Sequence, residues 1–421
     1  MATRVMSVFG QWSSRVFSVE LNGTSAPLYF ALRGDQPRGE VPGLFSTVQR
    51  NERCYGLLVC RGDRIQRAKS YWVLRDKLLT ELPSQCELLP MSSFLPKVKD
   101  SLLKGYFVKD ASDCTSLTER VLKDLVQDDL VLVCSYQPGA DGAVWSQHAW
   151  PRKERRPGLA DQYHVVQSAA PDYHPSTLNI VNSDVFYSFE EAYQVLSECG
   201  HIIPESRAVL ALADQRREAR HKPDFPVIVI EGLDATGKTT LTESLREALG
   251  ATLLRSPPQC LSPWRAAFDR EPPLIRRAFY ALGNYITAEQ IGQEALLAPV
   301  IVDRYWHSTA AYAIATAVSG PICNLPPKGS EVYCWPRDLL QPGLVVLLTL
   351  DPEERRKRLR DRGQGQTEEE QKLNDSKLFR LRVEEAYRSM SGPSCVTVDA
   401  SPTADQVLQK VLLLIRDKWH L

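Results

Sequence analysis

Hydrophobic residues in this chain fall into short runs and helical stripes. Tyr55–Cys60 and Leu130–Cys134 are apolar runs of strand length. Arg64–Leu82 and Ser116–Val126 place apolar residues at helical spacing. Ser188-Phe189-Glu190-Glu191 predicts a helix start, because the hydroxyl can accept from a free backbone N–H while Glu191 reaches back. Between 137 and 185, Pro, Gly, His and polar residues dominate, which predicts long loops. Residues 20–215 therefore read as a mixed α/β domain. From Val227 the pattern sharpens. Val227–Ile230, Pro299–Asp303 and Leu344–Leu350 are runs of the kind buried on both faces of a parallel sheet. Leu241, Leu245 and Leu249 follow the first run at helical spacing. Asp351-Pro352-Glu353-Glu354 predicts a further helix, with a cap, a proline in the first turn and acids at the positive end. Between the halves, Arg216–Pro226 is charged and ends on prolines, so a linker is expected at 216–226 and a second domain over 227–421.

Two patterns overlap at the N-terminus, and both can hold, with a short transit segment running into a strand. On a helix, Val5, Val8, Phe9, Trp12, Val16 and Val19 share one face, opposite Arg4, Ser7, Gln11, Ser14, Arg15 and Ser18. No acid precedes Glu20. That is the description of an organelle transit segment, over 1–19. Val16–Leu21 can equally alternate as a strand, with a turn at Asn22-Gly23.

Composition narrows the classes. A chain of 421 residues suggests two or three domains. Lys plus Arg equals Asp plus Glu, 51 each, so bulk attraction to nucleic acid or an anionic membrane is not expected and any phosphate site must be local. The run Arg152-Lys153-Glu154-Arg155-Arg156 reads as a solvated face. Ten cysteines include no CxxC pair, which argues against a structural zinc site. No apolar run reaches the roughly 18–20 residues a membrane span needs.

The chemistry is concentrated at 231–240. Gly232, Leu233, Asp234, Ala235, Thr236, Gly237, Lys238 and Thr239, followed by Thr240, fit G-x-x-x-x-G-K-[ST]. Strand, glycine loop and helix are the context that makes this a phosphate-binding loop. Backbone N–H groups and the helix N-terminus surround a polyphosphate, Lys238 reaches its terminal oxygens and the Thr239 hydroxyl is placed for Mg²⁺. Asp303 ends a second apolar strand and can help hold the metal. Arg304 follows it where ATP-driven motors commonly place Glu, which suggests an anionic acceptor. Arg355, Arg356, Lys357, Arg358, Arg360 and Arg362, backed by Gly363 and Gly365, read as a lid closing over transferring phosphates.

EGLDATGKTT (231–240) and VDRYWHSTAAYA (302–313) resemble the thymidylate-kinase branch of the nucleoside monophosphate kinases. SPPQC (256–260), RRAFYALGNY (276–285) and VDASP (398–402) are similar to its mitochondrial UMP/CMP kinases. The resemblance covers about 225–421. It implies a parallel five-stranded sheet flanked by helices, ATP and Mg²⁺, a pyrimidine nucleoside monophosphate as acceptor, a homodimer through the kinase domain and a mitochondrial matrix location. It further implies that Lys238, Asp303, Arg304, Arg358 and Arg362 are catalytic, with Thr239 and Asp303 at the metal. Asp234, Arg277, Tyr280, Asn284, Arg304 and Tyr312 would hold the acceptor, and Asp399–Pro402 would meet adenine. The departures also count. Ala235 stands where the family can carry an Arg, so transition-state arginines are expected from the lid. The family often has an Arg near position 259 that holds acceptor phosphate; Gln259 cannot, which leaves the role open to Arg265 or Arg277. Thymidylate kinases follow the aromatic at position 280 with Arg four residues on, where this chain has Asn284. An amide donates and accepts, which suits cytosine as well as uracil. Tyr280 and Tyr285 are both open to plain core packing. Thymidylate as acceptor, or a partner-binding protein with a vestigial kinase half, stay open as rivals.

Overall fold

A computed structural model describes residues 12–21, 26–35, 41–49, 51–111, 115–126, 130–140, 142, 144–151, 162–215, 223–362, 373 and 376–419. They form two compact units, Met1–Asn179 and Ile180–Leu421.

The first unit is built on eight strands: β1 Val16–Val19, β2 Leu28–Arg33, β3 Arg53–Val59, β4 Cys86–Phe94, β5 Leu103–Asp110, β6 Val131–Pro138, β7 Trp145–Ala149 and β8 Gln162–Gln167. They close into an antiparallel barrel in the order β1-β2-β8-β7-β6-β3-β5-β4. The seam is β1 against β4, Val16 opposite Phe94. Helices α1 Gly43–Ser46, α2 Arg64–Glu81 and α3 Thr115–Val126 accompany it. Period-two alternation explains why β3 reads as one apolar run. Cys54 and Leu58 point into the barrel with Phe17, Phe30, Phe107 and Tyr136. Tyr55, Leu57 and Val59 point outward against Leu74 and Leu78 of α2 and Leu122 and Leu125 of α3. Gly56 is needed where it stands, since a Cβ there would lie 2.9 Å from the Tyr136 hydroxyl inside the barrel. Mixed α/β character and both helices match the sequence reading. The long-loop expectation for 137–185 does not hold, because β7 and β8 lie within it. The charge run 152–156 lies outside the described residues.

The N-terminal expectation also changes. Residues 1–11 lie outside the described residues, but Trp12 is buried and Val16–Val19 pairs on both sides, so the strand alternative holds there. Arg15, counted as a targeting cation, is buried with Nε donating to Ser93 Oγ at 2.9 Å and Nη2 to the Ser93 carbonyl at 2.8 Å. Burial pushes its guanidinium down to about 10. Residues 12–19 are thus part of the barrel unit.

The second unit begins at Ile180, not at the expected linker 216–226. The reason is packing. Helices α4 Phe189–Glu198 and α5 Glu205–Asp214 belong to the C-terminal unit. Phe189 packs edge-on against Tyr285 at 5.5 Å, and Tyr187 donates to the Val332 carbonyl at 2.6 Å. Ser188 caps α4 as expected, accepting from the Glu191 N–H at 3.3 Å, but Glu191 reaches back to the N–H of Tyr187, at 2.9 Å.

The sheet of this unit has five parallel strands: β9 Val227–Gly232, β10 Thr252–Arg255, β11 Val300–Asp303, β12 Leu344–Thr349 and β13 Val396–Asp399, in the order β10-β11-β9-β12-β13. The helices are α6 Lys238–Leu249, α7 Ser262–Asp269, α8 Pro273–Glu294, α9 Trp306–Ala317, α10 Pro352–Arg362, α11 Lys377–Ser389 and α12 Ala404–Trp419. Val227 and Val229 face the core formed with α8, α9 and α11, and Ile228 and Ile230 face Leu241, Leu245, Val411 and Ile415. Each such side chain contributes about 1.5–3 kcal/mol by leaving water. The strand order reverses at β9, which opens a crevice at the carboxyl ends of β9 and β11, where ligands bind in open α/β sheets. Among the described residues no helix is long and apolar enough to cross a membrane.

Candidate active site

The phosphate-binding loop leaves β9 through Gly232, at φ +142°, where a Cβ would stand 2.6 Å from the Leu348 carbonyl oxygen. Only glycine fits. Gly237 turns the chain at φ +91° into α6. Ala235 is held at φ +63°, a conformation that costs a non-glycine residue about 1 kcal/mol or more. Lys238 Nζ donates to the Leu233 carbonyl at 2.8 Å and lies 3.9 Å from Asp234 Oδ1. Burial, then the nearby Arg304 guanidinium, push the Lys238 amine down to about 8. Gly237, Lys238, Thr239 and Thr240 line a cavity of about 790 Å³.

Arg304 follows β11 in a left-handed turn, φ +66°, with its N–H on the Ile230 carbonyl at 3.0 Å. Its guanidinium meets Asp234 Oδ1 at 2.5 Å, the Gly232 carbonyl at 3.0 Å and Ser308 Oγ at 3.2 Å. Burial opposes its charge, but Asp234 together with Tyr312, Tyr387 and Glu231 outweighs this and holds Arg304 well above its ordinary value. Behind the pair lies Glu231, fully buried. It accepts from the N–H groups of Tyr305 and Ser308, at 2.9 and 3.2 Å, and from the hydroxyls of Ser308 and Tyr387, at 2.5 and 3.2 Å. Burial raises its carboxyl despite these donors. Glu231 therefore ties β9, the start of α9 and α11 together beneath Arg304. The sequence reading assigned it no role, although a lone acid ending an apolar strand was a visible signal.

Asp303 is buried, with Oδ2 3.4 Å from Arg255 Nη2. Its Oδ1 has no hydrogen-bond partner among the described residues. The orphaned oxygen and the exposed Thr239 hydroxyl line one cavity, a donor set that fits Mg²⁺. Arg255 was not foreseen.

The acceptor-side residues divide. Arg277 and Tyr312 are buried and line the cavity, with Arg277 Nη2 donating to Thr316 Oγ1 at 3.4 Å. Tyr280 also lines it. Its hydroxyl donates to Asp269 Oδ1 at 2.6 Å and accepts from Arg265 Nε at 3.2 Å. Gln259 and Arg265 complete this wall. Tyr285 turns away, donating to Asp338 Oδ1 at 2.6 Å in the core. Asn284 does not line the cavity. It is buried one layer behind, where Oδ1 accepts from Ser256 Oγ at 2.7 Å and Nδ2 donates to Thr309 Oγ1 at 3.0 Å. Its two partners, Ser256 and Thr309, do line the cavity.

The basic run forms α10 as expected. Arg358 lines the cavity, with Nε 3.1 Å from Glu354 Oε1 and Nη2 3.3 Å from the Ala400 carbonyl, which joins it to the 399–402 loop. Arg356 and Arg360 are exposed. Arg362 ends the helix, and Gly363 and Gly365 lie outside the described residues. Arg355, read from the sequence as one of the lid cations, is buried and is among the cations that lower the Asp234 carboxyl against the effect of burial.

A thymidylate kinase family model matches residues 230–411. Over 412 residues the chain is 42% identical to the human protein "UMP-CMP kinase 2, mitochondrial", covering 93% of this chain and 90% of that one. It is 30% identical over 208 residues to thymidylate kinase of Xanthomonas oryzae pv. oryzae strain PXO99A, covering 46% of this chain and 84% of the relative. Among solved structures, thymidylate kinase of Candida albicans aligns with a TM-score of 0.36 at 21% identity, over 46% of this chain and 92% of that one.

Proposed function

The chain belongs to the mitochondrial UMP-CMP kinase 2 family, with a thymidylate-kinase domain over 230–411, and from that premise we propose that it transfers the γ-phosphate of ATP to UMP, CMP and their deoxy counterparts. It is a nucleoside monophosphate kinase, a phosphotransferase. The observation that carries the proposal is a shared space: the phosphate loop, Arg304 and the Arg277–Tyr280 wall line one cavity.

In that cavity an acceptor phosphate oxygen forms the new bond to the γ-phosphorus as its bond to the bridging oxygen of ADP breaks. Little covalent chemistry is left to the protein, so positioning and charge carry the step. The loop from Gly232 to Thr240 holds the ATP phosphates. Lys238 sits between donor and acceptor, and Arg304, fixed by Asp234 and Ser308, clamps the acceptor phosphate. Asp234 also faces the acceptor sugar. Arg358 and Arg362, with Arg355 of the same helix, neutralise the spreading charge and exclude water. Thr239 and Asp303 would hold Mg²⁺, which supplies charge neutralisation on the donor phosphates when bound. The relative's name points to mitochondria. A matrix location, addressed through residues 1–11 with Arg4, completes the proposal.

The thymidylate-kinase match favours dTMP as a second reading. A panel of UMP, CMP, dUMP, dCMP and dTMP, with ATP·Mg and ADP release as readout, decides between them. UMP and CMP are expected to lead, and preference for dTMP, or ATP turnover without acceptor, would overturn the assignment. Lys238→Ala is expected to lower turnover by about 10²–10³-fold. Full turnover in that variant would remove the mechanism and leave the vestigial-kinase rival standing.

A further inference from the structure

Ser256 is buried just after β10, and Thr309 is half-buried in the first turn of α9. Both line the cavity, and between them on α8 lies the buried amide of Asn284. Gly283 allows this approach. A Cβ there would meet Pro257 Cβ at 3.1 Å and Leu261 Cδ1 at 3.3 Å. Among the described residues the amide has two hydrogen-bond partners, both hydroxyls.

A hydroxyl has one hydrogen and can also accept. Ser256 gives its hydrogen to Asn284 Oδ1, so only lone pairs remain for the cavity. Thr309 accepts from Asn284 Nδ2 and keeps its hydrogen for the cavity. One amide thus forces the two hydroxyls into opposite polarities. A half-turn of the amide swaps them, and it leaves both bonds to Asn284 satisfied because either hydroxyl can donate or accept. A carboxylate, Lys or Arg at this position has one polarity only and could not swap.

The pyrimidine edges show the same reversal. Uracil presents a donor at N3 and an acceptor at O4. Cytosine presents an acceptor at N3 and a donor at the N4 amine. We propose that Asn284 is a specificity-determining positioning residue whose reversible amide switches Ser256 and Thr309 between the uracil and cytosine patterns. The proposal rests on the UMP/CMP acceptor reading and explains how one wall serves both bases without moving the backbone. A mismatched orientation leaves a buried polar group opposite its like, which is the situation sites use to reject a wrong ligand.

The test uses the full chain with ¹⁵N-labelled Asn side chains, in binary complexes with UMP and with CMP. Nuclear Overhauser contacts from the Asn284 amide hydrogens are expected to reach the Thr309 methyl in one complex and the Ser256 β-hydrogens in the other. The same neighbour in both complexes overturns the proposal. Asn284→Asp gives an independent readout. A carboxylate takes a hydrogen from both hydroxyls, so kcat/KM for UMP and for CMP should each fall about 10-fold or more, with KM for ATP unchanged. Retention of both acceptors within about twofold also overturns it. If the native chain phosphorylates neither UMP nor CMP, the acceptor reading itself fails. If it phosphorylates both while the amide stays still, only the switch fails.

Discussion

In the barrel, the buried polar side chains that hold it together answer one another. Trp12 Nε1 donates to Gln147 Oε1 at 3.2 Å, and Gln147 Nε2 donates to the Tyr136 hydroxyl at 2.9 Å. Ser18 and Ser92 share a bond of 2.7 Å across the seam. In the kinase unit, charge is left under tension. Asp303 keeps a bare oxygen, Lys238 is pushed down to about 8, and the carboxyl of Glu231 is pushed up. The difference is one of purpose. A satisfied network specifies a fold, whereas strained ionisable groups around a cavity mark a functional site.

Three substitutions test that contrast, in falling order of effect. Phe107 is fully buried in the barrel, 5.9 Å from Phe45 and 5.4 Å from Tyr136 between ring centroids. Phe107→Ala should cost about 3–5 kcal/mol of barrel stability in denaturant unfolding, with kinase turnover at low denaturant unchanged. A parallel loss of turnover would break the division of labour. Next is acid. His307 is fully buried in the kinase unit, donating to the Pro393 carbonyl at 2.9 Å, and burial lowers its ring to about 4 from 6.5. The unfolded chain takes up that proton first. This stability is therefore complete above pH 6.5 and lost as pH falls toward 4, about 3 kcal/mol over the window. His307→Gln should flatten that part of the kinase unit's stability profile, and an unchanged slope would shift the acid sensitivity elsewhere. Smallest is Tyr280→Phe. Loss of the hydroxyl between Asp269 and Arg265 should raise the acceptor KM about fivefold, near 1 kcal/mol, with KM for ATP constant. A change in ATP binding instead would show that the acceptor wall and the phosphate loop are one network.

The contrast also governs what could be read from the chain. Gly232–Thr239 and Asp303-Arg304 were legible because consecutive residues carry their chemistry and the flanking strands are apolar. Glu231 and Arg255 were not, since each matters through a partner far along the chain, and the burial of Arg355, read as a lid cation, was hidden too. Asn284 shows the limit clearly. Its chemistry was readable, but its place one layer behind the cavity depends on α8 closing on the 256–261 loop. Barrel closure was hidden for the same reason, since Val16 must find Phe94. Strands β7 (WSQHA) and β8 (QYHVVQ) are polar enough to pass for loop. Helices α4 and α5 went to the wrong side of the boundary because the polar stretch at 216–226 is conspicuous, while Phe189 against Tyr285 is visible only in three dimensions.

The closed barrel has a colloidal consequence. Its central strands include YGLLV (55–59) and VLVC (131–134), short, uncharged and free of proline. Segments of this kind drive cross-β association when exposed on an open edge. β3 lies between β5 and β6, and β6 between β3 and β7, so the native chain offers neither as a template. Closure of the ring itself hangs on the four residues of β1. A chain that loses Val16–Val19 frees the edges of β2 and β4 and loosens the ring that sequesters these sequences. Loss of that strand should appear first as turbidity and irreversible precipitation.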